Sequence, residues 1–360
     1  MNANLLDKSV KVLLLLFVSF AILYYAQSFL VPFLIAALLA MLLLPLCARL
    51  QKKMNKVAAV LISLMLLLTV ISVIIYIISI QVSDISDNAS EIEKNITIKL
   101  RQLSEFITNT LGISEQKQQE IIAQQQQSTT GRLSGIITGF FALFGGFLTD
   151  FLIVTVYIFL FLLFRNHFQN FILKLVPASE KKNAQTIMHD VRRVSQKYLT
   201  GLALMIACLW VMYGIGFSIV GVENAIFFAI LCGLLEIVPF VGNLTGAALT
   251  SLMALAQGGS TSMLIGILIT YAIVQFTQSY ILEPMIVGRE ISINPVFTIM
   301  GIVAGELLWG IPGMILALPL LGIFKIICDH IEPLKPYGFL IGEEKKPKPK
   351  GHNKLKKIFK

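Results

Sequence analysis

An all-helical, polytopic membrane protein is the fold class this sequence predicts, and three observations predict it. Of 360 residues, 56% are hydrophobic and 14% charged, where a soluble domain carries about 25% charged residues. The charges are absent in blocks, with none at 12–48 or 57–83 and only Asp150 within 133–164. The long stretch 201–324 holds just Glu223, Glu236, Glu283, Arg289, Glu290 and Glu306. About 20 apolar residues rising 1.5 Å each cross the hydrocarbon layer, and within lipid the backbone must satisfy itself, as a helix does. A water-soluble globule is excluded. A disordered chain is excluded too, because disorder needs low hydrophobicity and high net charge.

The apolar runs supply the elements in order. Residues 10–30 predict one span and 31–47 a short second, joined at 28–32, where Pro32 at a first helical position gives up no hydrogen bond. A signal peptide is the rival reading of the Lys8 and Lys11 flank, but the apolar run is too long and meets no small-residue cleavage site. Residues 57–80 form the third span. The run 135–164 exceeds one crossing, so it tilts or breaks at Gly145-Gly146. Residues 201–221 and 263–282 complete about six full spans, to which two broken or re-entrant helical hairpins add, for about eight membrane segments. The expected organisation is membrane helices at 1–83, an extracytoplasmic helical insert at 84–132, a fourth helix at 133–164, a cytoplasmic amphipathic segment at 165–200, a transport core at 201–328 and a basic tail at 329–360.

Lys and Arg set the sidedness, since they are retained in cytoplasmic loops. Arg49, Lys52, Lys53 and Lys56 stand together without an acid, residues 164–200 hold seven bases against two acids, and the tail from Lys325 holds ten Lys against four acids. The stretch 84–132 is acidic on balance and lies where helix parity demands the opposite face. Both termini are therefore expected in the cytoplasm. The net charge of +9 reads as this anchoring, aided by anionic lipid, and not as nucleic-acid binding. The insert, with Ile85, Ile92, Ile96, Leu100 and Leu103 at helical spacing and a Gln-rich patch at 116–127, reads as a helical cap on the spans or on neighbouring subunits, or else as a gate or a partner platform.

Most chemistry is excluded. His167, His189, His330 and His352 show no metal-type spacing. Cys47, Cys208, Cys232 and Cys328 are lone residues in or beside apolar segments, where a thiol behaves as a small hydrophobe. No Gly-Lys pair exists to cradle phosphate. No enzyme, cofactor or metal is expected, and any pumping must be secondary.

The C-terminal third carries the informative irregularities. Two short apolar stretches, 225–237 and 244–257, flank Glu236-Ile-Val-Pro239-Phe-Val-Gly242-Asn243. Two more, 296–309 and 314–328, flank Gly310-Ile-Pro312-Gly313, with Glu306 just before. Each pair is a hairpin dipping into the membrane or a pair of kinked helices. Proline removes a backbone bond and glycine permits a turn, and paired interruptions of this kind point to a transport site. Between them Tyr271, Gln275, Ser279 and Glu283 recur every four residues with Gln278 alongside, a polar face that lines a pore or bonds neighbouring helices. A carboxylate at the bilayer centre costs about 2.5–3.5 kcal/mol, and no base lies between Thr200 and Arg289. Glu236 or Glu306 is expected to carry a proton or bind a cation, while Asp150 and Glu283 are read as reaching water.

Tyr198-Leu-Thr-Gly201, Gly233-Leu-Leu-Glu236-Ile-Val-Pro239-Phe-Val-Gly242, Glu283-Pro284 with Gly288 and Pro295, and Leu308-Trp-Gly310-Ile-Pro-Gly313-Met-Ile-Leu-Ala-Leu-Pro319 together resemble the autoinducer-2 exporter family of bacterial membrane proteins. The resemblance covers most of the chain and is strongest at 198–329. It implies a transporter of the bacterial cytoplasmic (inner) membrane and a homo-oligomer such as a pentamer. It also implies export of a small polar signalling molecule, or antiport of monovalent cations against protons. The expected path runs between the two broken segments and the 271–283 face, taking in Pro284 and Pro295. The alternative is a non-transporting membrane scaffold or regulator.

Overall fold

The structure, a computed structural model, describes residues 3–87, 94–95, 98, 150–238, 241–287 and 293–343. Most of the insert with its Gln-rich patch, Gly145-Gly146, Pro239, Gly288 and the Lys-Pro tail at 345–350 lie outside the described residues.

The described chain is helical. Its helices are α1 (Ala3–Tyr25), α2 (Gln27–Leu50), α3 (Lys56–Asp87), α4 (Asp150–Leu175), α5 (Lys181–Val220), α6 (Ala225–Leu235), α7 (Val241–Ala256), α8 (Thr261–Thr277), a π-helical stretch Gln278–Val287, α9 (Pro295–His330) and α10 (Lys335–Ile341). The isolated bridge Ile293–Gly342 is the one extended pairing among the described residues. Among the described residues six helical stretches are long and apolar enough to cross a membrane: Gln27–Leu50, Lys56–Ile80, Asp150–Leu175, Ala178–Val220, Thr261–Ile286 and Pro295–His330, the last kinked at Gly310.

Several boundaries differ from the sequence expectation. The joint expected at 28–32 falls instead at Ala26 alone (φ −85°, ψ 8°), whose carbonyl accepts from the backbone N–H of Phe29 at 3.0 Å and of Leu30 at 2.9 Å. Pro32 lies inside α2. Its ring crowds the carbonyl four residues earlier, at Ser28, so the helix opens just ahead of that point. The apolar part of α1, Leu13–Tyr25, is consequently shorter than the first span expected at 10–30. At its far end α3 runs on to Asp87, so the insert begins as a continuation of a membrane helix. The amphipathic segment and the span at 201–221 are one helix, α5, of 40 residues, or about 60 Å. No proline interrupts it, and it stops at Gly221 in the left-handed conformation (φ 81°), which a C-terminal glycine adopts without strain.

Two interiors hold the helices. Cys47 of α2, Ala59 and Val60 of α3 and Ile158 and Leu162 of α4 are almost fully buried in one; Leu209, Tyr213 and Phe217 of α5, Phe228 of α6 and Ile267 and Val274 of α8 are in the other. Lipid tails are as apolar as leucine, so helices associate by close packing at small residues. Gly233 of α6 lies beneath the Trp210 indole of α5, whose Nε1 donates to the Ile230 carbonyl at 3.1 Å.

Candidate transport site

Helix α6 is 11 residues long, about 16 Å, and Glu236 follows it directly. Cys232 and Glu236, four apart, share a face. The chain then returns as α7. Gly242 packs so tightly on the Leu235 carbonyl that a Cβ there would overlap it, and a Cβ on Gly246 would strike the Tyr271 hydroxyl. Both glycines are demanded by close approach.

Onto this corner α8 projects its polar face. Gln275 Nε2 donates to Glu236 Oε1 at 2.6 Å and lies 3.3 Å from Gln278 Oε1 and 3.4 Å from Tyr213 Oη. Gln278 thus joins the Glu236 group through Gln275. Next to Tyr213, with ring centroids 4.8 Å apart, Tyr271 donates its hydroxyl to Cys232 Sγ at 2.8 Å. The Cys232 thiol is 3.4 Å from Thr250 Oγ1, which donates to the Gly246 carbonyl at 2.8 Å. A polar string thus runs through helices α5 to α8, its two hydrogen-bonded halves meeting at the Tyr213 and Tyr271 rings. Glu236 is half-buried, and among the described residues no cation pairs with it.

The structure gathers only part of the expected set here. Tyr271, Gln275, Gln278, Glu236 and Gly242 come together; Asn243, half-buried, lies at the start of α7, and Pro239 lies outside the described residues. The four-residue stripe does not continue, because the helix widens to π geometry at Gln278. Each turn then takes more residues, and Pro284 within it donates no backbone bond. Ser279, Glu283 and Pro284 are accordingly exposed. Glu283 is instead near enough to Tyr198 of α5 to interact electrostatically.

The second broken segment forms a separate group. Pro295 opens α9, where Asn294 Oδ1 accepts from the Val296 N–H at 3.0 Å. At Gly310 the backbone takes φ 62° and ψ −143°, a conformation open essentially to glycine, and the chain doubles back. A Cβ on Gly305 or Gly313 would collide with the other's carbonyl, and Gly301 meets Leu321 across the two arms. Pro312 follows the break, where its missing N–H is least needed. Trp309 Nε1 donates to the Leu23 carbonyl of α1 at 3.0 Å. Glu306 is exposed on the first arm beside Val303 and Leu307 and has no recorded bond to the Glu236 group.

Sequence reasoning missed Tyr213, Cys232, Gly246 and Thr250. The four-residue spacings of Cys232 to Glu236 and of Gly246 to Thr250 were available as signals. Nothing in the apolar half of α5 marked Tyr213.

Long apolar helices, two broken segments and a polar string whose half-buried carboxylate no described cation pairs with define a polytopic helical membrane protein of transporter type. The family model described as AI-2E family transporter matches residues 13–332, and the chain belongs to that family. It is similar to YueF, a candidate transport protein of Bacillus subtilis, at 26% identity over 87% of this chain and 89% of that one. YrrI of the same organism is 32% identical over 43% of this chain and 44% of its own length. YhhT of Escherichia coli is 25% identical over 43% and 44% respectively. None of these names states a substrate.

Proposed function

We propose that the protein is a secondary transporter of the bacterial cytoplasmic membrane that exports a small polar solute or exchanges monovalent cations for protons. Glu236 is the group that alternately holds a proton or a cation. One observation carries this reading: a carboxylate about 16 Å along from the start of α6 is held by the Gln275 amide and faces no base among the described residues. A buried charge without a counter-ion is costly, so it is retained where a mobile cation or proton supplies the compensation.

In this reading α6 and α7 form a re-entrant pair, since half a bilayer is all that α6 spans. Asn95 Nδ2, from the insert region, donates to the Ala256 carbonyl at 2.8 Å, which supports placing the open end of that pair on the insert's face. The α9 arms, about 22 and 30 Å long, enter from the opposite, cytoplasmic face with both termini. Glu306, set among exposed apolar side chains, then faces a neighbouring copy in a homo-oligomer or a wet path, because lipid would not accept it.

The test is flux into reconstituted vesicles over a panel of sodium, lithium, potassium and small polyols, with and without a pH gradient. Glu236→Gln is expected to lower coupled flux at least about tenfold, equivalent to about 1.4 kcal/mol on the barrier, and to flatten its pH dependence. Glu223→Gln, exposed in the α5–α6 turn, leaves flux unchanged. An unaltered rate and pH profile in Glu236→Gln defeats the assignment, and absence of any flux beside a stably co-purified protein favours a scaffold.

A further inference from the structure

We propose that Arg165 and the basic turn joining α2 to α3 bind the phosphate of an anionic phospholipid at the end of the α2–α3–α4 interior. Arg165 follows directly on the apolar run of α4 that buries Leu162 at 1% exposure. Its guanidinium is wedged into the seam with α2. Nη2 donates to Gln51 Oε1 at 2.6 Å, Nη1 lies 4.0 Å from the buried Cys47 sulfur, and Gln51 Nε2 in turn reaches that sulfur at 3.4 Å. These contacts pin the plane of the group and use two of its five N–H donors.

No described acid pairs with the remainder. Among the described residues Arg165 forms no ion pair, and the sequence has no Asp or Glu at 12–83 or 151–179. Arg49, Lys52, Lys53 and Lys56 are exposed in the adjoining turn. Asn55 Oδ1 caps α3 by accepting from the Ala58 N–H at 2.8 Å, which sets the positive end of that helix beside the lysines. Retention of cationic loops on one side of a membrane accounts for lysines in water. It does not account for a half-buried guanidinium held flat with its fork unfilled, an arrangement that matches a phosphate bidentately.

The source of the phosphate follows from what precedes Arg165. On the membrane side of the guanidinium Val156, Leu160 and Phe164 of α4 are 47%, 37% and 47% exposed and Leu61 and Ile62 of α3 are each 46% exposed, an apolar surface leading from the guanidinium into the hydrocarbon. A soluble phosphate has no use for such a surface; acyl chains beneath a headgroup do. Basic pockets at helix ends take anionic headgroups in this way.

Native mass spectrometry of the full chain titrated with phosphatidylglycerol and with phosphatidylcholine tests the site. Wild type is expected to prefer the anionic lipid about tenfold, and Arg165→Gln to lose most of that preference. Lys52→Gln with Lys53→Gln should lower it about twofold, and excess inorganic phosphate should leave it intact. Arg165→Lys, which keeps the charge without the fork, should fall at least about threefold, and it carries the test should Arg165→Gln fail to fold. Wild-type preference in both Arg165 variants overturns the proposal, as does its abolition by inorganic phosphate, which would mark a soluble-anion site.

Discussion

Replacing Gly246 by alanine measures how tightly α7 is pressed against the polar string. The added Cβ would strike the Tyr271 hydroxyl and come within 3.2 Å of Cys232 Sγ. Tyr271 cannot swing aside freely: it is 5% exposed, with the Tyr213 and Phe217 rings centred 4.8 and 6.1 Å away. Overpacking of this kind costs about 1–3 kcal/mol, and the displaced hydroxyl gives up a hydrogen bond of about 0.5–1.5 kcal/mol. Alanine's better helix propensity returns about 0.5–1 kcal/mol. The net destabilisation is about 1–3 kcal/mol. Tyr271→Phe alone loses the bond to the thiol, about 1 kcal/mol. Because phenylalanine lacks the atom that the new methyl strikes, the double variant should be less destabilised than the sum of the two by at least about 1 kcal/mol. Denaturant unfolding in mixed micelles, run on all four members of the cycle, reads this coupling. Additivity within about 0.5 kcal/mol, the behaviour of sites that do not touch, would refute the contact on which the site's geometry rests.

The other expectations concern the second broken segment and the amide that holds Glu236. Gly310→Ala forces a side chain into φ 62°, ψ −143° and should cost about 1–3 kcal/mol, seen as a lower unfolding midpoint, whereas Ile311→Ala, exposed beside it, should cost well under half as much. Trp309→Phe keeps most of the ring but removes the bond to the Leu23 carbonyl, about 1 kcal/mol; cysteines placed in α1 should then label faster with a water-soluble maleimide, and unchanged labelling would count against that tether. Gln275→Leu withdraws the 2.6 Å donor from Glu236 and should slow vesicle flux about tenfold. Combined with Glu236→Gln it should add little, since the two act as a unit; full additivity would separate them.

How much of this was legible in the chain depends on whether the cause was local. The long apolar helices were, because lipid imposes length and composition residue by residue. The interruption at Gly310 was legible for the same reason, since a conformation near φ 62° leaves its mark as the only residue able to adopt it. Ala26 leaves no such mark: Pro32 stands six residues on, the Trp309 indole bonds the Leu23 carbonyl before it, and alanine, the strongest helix former, signals continuation and not a break. That the basic segment and the following span share one helix was not legible, because polarity changes along α5 while its backbone does not. A stripe drawn at four-residue intervals from Tyr271 assumed one helical pitch; the π stretch at Gln278 changed it, and Ser279 and Glu283 turned away from the polar string while Gln278 stayed. Cys232 was read as inert because a lone thiol in apolar sequence usually is. What makes it a link is Tyr271 arriving from another helix, through the gap that Gly246 leaves on a third, and no single segment contains that information. The candidate site is therefore a property of four helices meeting. Its acidic member was findable from cost alone, whereas the neutral groups that hold it become visible only once the helices are assembled.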